Sequence, residues 1–176
     1  MSDPREAERE RALHELFVAR GEFAQAWTDV PDAALRYRGA SDDYALSGIV
    51  VHITASIDHY RRVVEGMVDH EFKAFAVVPQ DPGVEAAHAK RCKDGFGPEE
   101  RDEAFALLES AHDDFGAAVL RLEPQDYGRK VPVTYKAGDA PHDTSAADIV
   151  GWLTGHYREH VPQVGAMAMK AAVPKV

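Results

Sequence analysis

Apolar residues recur every three or four positions along the first part of the chain, which is the spacing of amphipathic helices. The first such stretch runs from about Pro4 to Trp27 and ends before Pro31. A second stretch follows the polar turn at 38–43, which offers three candidate N-caps, and continues to about Met67. Its apolar seam consists of Leu46, Val50, Ile53, Ile57, Tyr60, Val64 and Met67. The pattern therefore predicts two bundle helices here.

Two further helices are predicted in the second half of the chain. Pro98, with acidic residues directly after it, is typical of a helix start, and the pattern then continues to about Leu122. Ser145 and Asp148 have the spacing of a capping box. They begin a fourth helix that should extend to about Lys170.

Glycine and proline break the helical pattern in two long connections. The first, at 74–97, contains a short predicted helix around 84–93. The second, at 123–143, permits at most a short extended piece at 130–135. No repeat or linker divides the chain, and the pattern predicts no convincing sheet. We therefore predict one all-α domain over residues 1–176, a four-helix bundle with long connections between its helices.

The charge and the cysteine content of the chain limit its possible partners and its compartment. The chain of 176 residues carries 30 acidic and 20 basic side chains, and its net charge of −10 would repel a nucleic acid. The most apolar stretch, at 48–57, is too short to span a bilayer. Cys92 has no partner for a disulfide within the chain, which favours a reducing compartment. We expect a cytoplasmic protein with no nucleic-acid or membrane partner.

Nine histidines are the most distinctive chemistry in the sequence. His156 and His160 lie one turn apart on the apolar seam of the fourth helix, so both imidazoles point the same way and can chelate one metal ion. Leaving buried ring nitrogens unpaired costs about 1–3 kcal/mol each, which a shared metal would remove. The alternative is that each histidine bonds to a neighbouring side chain or to water.

The same segment fits the H-x-x-E-H pattern of inverted zinc proteases. Those enzymes need a further acidic ligand downstream, and no Asp or Glu follows His160. We reject the protease interpretation for that reason.

Candidates for a third ligand and for a binding pocket lie on the other helices. His52, at the flank of helix two beside the pocket candidate Ser56, is the best third ligand, although a histidine there can also be a satisfied core residue. Arg20 lies in the apolar stripe of helix one, either with a snorkelling stem or as an anion contact in a pocket. His112 is either a core histidine or part of the same cavity. His59 is interpreted as a surface or second-sphere residue.

Two short motifs resemble the DinB-like superfamily. The segment from Tyr44 to His52 is similar to the start of helix two in that family, where an aromatic residue, usually Trp, precedes the histidine by eight positions. The segment at 149–163, which contains Trp152-Leu153-x-x-His156-x-x-x-His160, resembles the last bundle helix. The resemblance extends over nearly the whole chain in the order of its elements. It adds Tyr44 to the pocket candidates.

The resemblance implies a bundle, often dimeric, in which His52, His156 and His160 bind a divalent metal that keeps open coordination positions. Zinc is the first expectation, with nickel or iron as alternatives. Some relatives are S-transferases that use mycothiol or bacillithiol. Our leading hypothesis is therefore a metal-dependent transferase that joins a low-molecular-weight thiol to a small electrophile. A metal-dependent hydrolase and a non-catalytic metal- or ligand-binding bundle for stress response remain alternatives. The expected partners are a small-molecule substrate and a second copy of the chain.

Overall fold

A computed structural model describes residues 4–172 as five α-helices and one small sheet. The helices are α1 (Pro4–Ala26), α2 (Gly48–Asp69), α3 (Pro82–Asp94), α4 (Arg101–Leu120) and α5 (Ala146–Ala171). The strands are β1 (Phe75–Ala76), β2 (Val131–Thr134) and β3 (His142–Thr144). The four predicted long helices correspond to α1, α2, α4 and α5, and the short helix expected around 84–93 is α3. The predicted helical bundle is confirmed, and the chain is mostly α-helical with one small sheet.

The four long helices surround one apolar core. Helix α1 packs along α5, α2 packs along α4, and α2 also contacts α5, while α3 lies against α2. The largest fully buried side chains include Leu16, Phe23, Ile49, Ile53, Ile57, Phe115, Ile149 and Tyr157. Within residues 4–172, none of the helices has a segment long and apolar enough to cross a bilayer.

The start of α2 differs from the prediction. The expected N-caps at 38–43 are wrong, because the helix begins at Gly48, directly after Ser47. The Ser47 hydroxyl does not cap α2. Instead it donates to the Phe96 carbonyl at 3.0 Å and accepts from the Phe96 N–H at 2.7 Å. The Ala45 N–H donates to the Cys92 carbonyl at 3.0 Å. These bonds attach the segment before α2 to the end of α3.

The start of α5 follows the predicted capping box. The Asp148 N–H donates to the Ser145 hydroxyl at 3.2 Å, and the Ser145 N–H donates to the Asp148 carboxylate at 2.7 Å. Two of the unpaired N–H groups at this helix end are thereby satisfied. The prediction for this terminus is confirmed.

The sheet was underestimated from the sequence. Strand β2 is the extended piece expected at 130–135, but it pairs in parallel with β1 and antiparallel with β3. Val133 lies opposite Phe75 on one side and His142 on the other. Val131 and Val133 are fully buried, so the sheet is anchored on the core by its central strand.

Candidate metal centre

The structure brings together the three histidines that the sequence singled out. His52 lies in the second turn of α2 and faces His156 and His160 of α5. The ring centroids of His52 and His156 are 4.9 Å apart, those of His52 and His160 5.5 Å, and those of His156 and His160 4.7 Å. One ring nitrogen from each residue lies within 4.8 Å of the other two. Three nitrogens at this spacing can hold one metal ion.

The hydrogen bonding of these rings fits a metal. The Nε2 atoms of His156 and His160 are buried and have no hydrogen-bond partner among residues 4–172. His160 Nδ1 lies 2.6 Å from Gln163 Oε1, and because an amide oxygen only accepts, Nδ1 carries the proton. The Nε2 lone pair of His160 is therefore free to coordinate. Metal-bound histidines usually have such a hydrogen-bond partner on the ring nitrogen that does not coordinate, and this partner fixes the tautomer.

Burial keeps His52 and His156 in the neutral form that coordinates metal. The pKa of His52 falls from 6.5 to about 4, mainly because the ring is desolvated and next because His156 and His160 lie close. The pKa of His156 is also lowered, first by burial and then by His160, while Glu159 opposes the change. Near pH 7 both rings are neutral imidazoles, so a metal ion does not have to displace protons from them.

Two of the predicted pocket residues contact His52. The Tyr44 ring stacks on the His52 ring, with centroids 4.6 Å apart and an interplanar angle of 21°. The Ser56 hydroxyl donates to the His52 carbonyl at 2.9 Å. Tyr44 therefore restricts the rotation of the first ligand, and Ser56 lies one turn beyond it on α2.

The other two pocket candidates have different surroundings. The Arg20 guanidinium lies 3.5 Å from the Asp113 carboxylate and 4.9 Å from the centre of the Phe17 ring. His112 is buried, with its ring centroid 6.1 Å from that of Tyr157. Neither is among the residues that line the cavity beside His52. Their assignment to a pocket stays a prediction.

A cavity of about 620 Å³ lies directly beside His52. Helix α2, helix α3 and the segments that follow β1 and β2 all contribute to its wall. The polar residues that line it are His52, Ser56, His59, Tyr60, Arg62, Gln80, Glu85, His88, Tyr135 and Lys136. Its volume is in the range of small-molecule sites, and its wall carries both signs of charge.

Three residues of this site were not recognised from the sequence. Gln163 is three positions after His160 on the same helix, a spacing that brings side chains together and could have revealed it. His59, interpreted as a surface or second-sphere residue, is half-buried and lines the cavity; its pKa is lowered, mainly by burial and next by Arg62. His88 reaches the cavity from α3, which no local pattern could indicate.

The fold and the cluster together define the class: a mostly α-helical bundle with three convergent histidines, able to hold a metal ion, between two of its helices. The model of the DinB superfamily matches residues 15–164, which include all three histidines. The chain therefore belongs to the DinB superfamily, and the resemblance inferred from the two motifs is confirmed. Comparison with curated proteins and with solved structures returned no match.

Proposed function

We propose that the protein is a metal-dependent enzyme for small molecules, and that it transfers a low-molecular-weight thiol to a small electrophile. The observation that carries the proposal is the open side of the histidine cluster. Within residues 4–172 no fourth His, Cys, Asp or Glu joins the three nitrogens, and His52 forms part of a cavity wall. Structural zinc sites have four protein ligands, whereas catalytic sites keep a position for substrate or water.

A divalent ion held by His52, His156 and His160 would supply a Lewis acid that lowers the pKa of a thiol. Neighbouring side chains would hold the three histidines in position. Gln163 fixes the tautomer of His160, and Tyr44 packs against the face of His52. The resemblance to the DinB-like superfamily, some of whose members are S-transferases that use small thiols, supports this reaction over others. The cavity, with cationic, anionic and hydroxyl groups in its wall, suits a polar cosubstrate.

A hydrolase is the second candidate, and His59 is the observation that favours it. Its half-buried ring lines the cavity, and its lowered pKa keeps it neutral near pH 7. A neutral imidazole in that position could act as a general base toward water. Hydrolysis needs no thiol, so the two candidates differ in a measurable requirement.

Metal content of the purified full-length protein tests the site. We expect about one zinc-like ion per chain in the wild type, because the three-histidine cluster is a single site. His52→Ala and His156→Ala should lose the metal, since two ligands rarely retain it. His14→Ala, which removes an exposed histidine from α1, is the matched control and should keep it. Metal content unchanged in both triad variants would contradict the site.

Turnover assays test the reaction. We expect a small thiol to be consumed with an electrophile only when metal is present, and the rate to fall by at least about 100-fold in His52→Ala, because removing a ligand removes the activating ion. Product release without thiol, lost in His59→Gln, would support the hydrolase instead. A metal-loaded protein that turns over neither class of substrate would favour the non-catalytic bundle.

A further inference from the structure

A second recess, of about 380 Å³, adjoins the main cavity and is lined mostly by aromatic rings. Tyr60 and Tyr135 line both spaces, while His142, Trp152 and the turn residues Asp139 and Ala140 line only the recess. We name these six residues the aromatic recess. None of the three candidate metal ligands belongs to it. The metal site therefore does not explain it.

Neighbouring rings of the aromatic recess are inclined to one another. The Trp152 and Tyr60 centroids are 5.8 Å apart with an interplanar angle of 52°, and those of Trp152 and His142 are 5.9 Å apart at 64°. Inclined rings do not cover one another as stacked rings do. Trp152 accordingly stays 39% exposed. Aromatic surface is thus available to a ligand on two adjacent walls.

A buried hydroxyl holds two of these walls in place. The Thr144 hydroxyl donates its one proton to the His142 carbonyl at 3.1 Å. It therefore accepts from the Tyr135 hydroxyl at 3.2 Å and from His142 Nδ1, also at 3.2 Å. Thr144 is fully buried, and the three hydrogen bonds that it makes are part-buried. Walls that are positioned before binding lose little conformational entropy when a ligand arrives.

The charge of the aromatic recess favours a cation. Among the described residues that line it there is no Lys or Arg, and Asp139 is its one carboxylate. Lys136 begins the same turn but lines the main cavity instead. Burial raises the pKa of Tyr60 and Tyr135, so both remain neutral phenols. The faces of aromatic rings carry negative potential, and the whole chain has a net charge of −10.

We propose that the aromatic recess binds a small organic cation that carries a quaternary ammonium group. Such a group has no N–H to satisfy and is attracted to ring faces and to one carboxylate. A primary ammonium has three donors and needs three acceptors. The recess is the poorer match for it, because four of its six lining residues present aromatic rings, although the Tyr135 oxygen can still accept after donating to Thr144. The ring surface thus favours a methylated over an unmethylated amine.

Choline and its uncharged isostere 3,3-dimethylbutan-1-ol are the probes. They have the same shape and differ in one positive charge. We expect choline to shift the amide and indole NMR signals of Tyr60, Tyr135 and Trp152 in the wild-type full chain, and the isostere to bind at least about fivefold more weakly. The titration is done with and without chelator, so that its result does not depend on the metal. Equal binding of the two probes, or no shift with choline, would overturn the proposal.

Variants test which groups carry the attraction. Trp152→Leu should weaken choline about fivefold to twentyfold, the size of one lost cation–π contact. Phe17→Leu removes an exposed ring from α1 and should leave the affinity unchanged. Asp139→Asn changes an exposed turn residue, does not endanger the fold, and should weaken choline but not the isostere. An unaltered choline affinity in both Trp152→Leu and Asp139→Asn would contradict the assignment of the aromatic recess as the cation site.

A choline headgroup in a lipid surface presents the same chemistry as free choline. Phosphatidylcholine vesicles, compared at equal headgroup concentration, separate the two sources. We expect no co-sedimentation with the vesicles, because the proposed occupant is a free small molecule. Tighter binding to vesicles than to free choline would overturn that part of the proposal.

Discussion

The chemistry of the histidine cluster depends on individual atoms of its neighbours. Gln163 Oε1 accepts from His160 Nδ1, which leaves the lone pair of His160 Nε2 free, and the Tyr44 ring restricts His52. Both act through the ligand that they contact, so their effect should appear in metal affinity before it appears in the fold.

Gln163→Leu tests the orientation of His160. The variant removes the acceptor for Nδ1 at nearly unchanged volume, so the ring can adopt the other tautomer or rotate. We expect zinc affinity to fall by about 10-fold to 100-fold, the usual effect of losing such a partner. A competition titration with a chromogenic chelator measures it. Gln163→Glu keeps an acceptor and should retain the affinity; equal losses in both variants would contradict the argument.

His112 should make the protein sensitive to acid. Burial, and next the Arg20 charge, lower its pKa from 6.5 to about 4, while Asp113 opposes the change. Between these values the unfolded chain binds a proton that the folded chain does not, so stability falls as the pH drops from about 6.5 to 4. A change of this size in the pKa corresponds to at most about 3 kcal/mol of stability.

The test compares unfolding by urea at several pH values in wild type and His112→Phe. The variant keeps a ring beside Tyr157 but has no titrating group. Its free energy of unfolding should decline less between pH 6.5 and 4.5 than that of the wild type. Parallel pH profiles for the two proteins would show that His112 does not contribute. Both proteins are measured with chelator so that the metal site does not add its own pH dependence.

The start of helix α2 lies very close to the end of helix α3, and this contact sets the position of the cavity wall that α3 forms. A Cβ at Gly48 would lie 1.8 Å from the Cys92 carbonyl oxygen, so only glycine allows this contact. Helix α3 is thereby held against α2, and His88 reaches the same cavity as His52. The helices themselves follow from local spacing, whereas this packing does not.

Two glycine substitutions separate packing from helix propensity. Gly48→Ala should destabilise the fold by about 3 kcal/mol, because its methyl group meets backbone that cannot rotate away. Gly21→Ala, in the interior of α1 with no atom within 4 Å of the added Cβ, should stabilise by about 0.5–1 kcal/mol. Thermal and urea unfolding measure both. Similar effects of the two substitutions would contradict the close contact at Gly48.

At the scale of the whole molecule, the histidine cluster joins two helices that are far apart in the sequence. His52 lies on α2, and its two companions lie on α5 more than a hundred residues later. A metal ion held there would link the two halves of the bundle. Binding that requires the folded arrangement adds its free energy to the stability of the fold.

Zinc should therefore stabilise the protein as a whole. At a free concentration about 100 times its dissociation constant, a ligand of the folded state adds about 2.7 kcal/mol. For a chain of this size we expect the melting temperature to rise by roughly 5–10 °C. Calorimetry with zinc, then with excess chelator, measures the change and its reversal. A shift of the same size in His52→Ala would mean that the ion binds elsewhere.

The sequence predicted those residues of the site that lie close together in the chain better than those that lie far apart. His156 and His160 were recognised because residues four apart on one helix share a face, and Gln163 could have been found by the same rule. His52 was selected from its place at the flank of helix two, and the family motif then supported that choice. His88, His142 and Tyr135 carry no local signal, because they reach the cavity or the aromatic recess from α3 and the sheet.

The sequence by itself determined the helices, the capping box at Ser145 and the pairing of two histidines on α5, because each depends on residues within about one helical turn. Only the tertiary structure decided that the start of α2 is bound to the end of α3, that two further strands pair with β2, and that four rings line a recess beside the cavity. Those arrangements depend on the packing of side chains distant in the chain. The distance between two such elements depends on every core residue packed between them. The spacing of residues within one helix or strand therefore does not predict it.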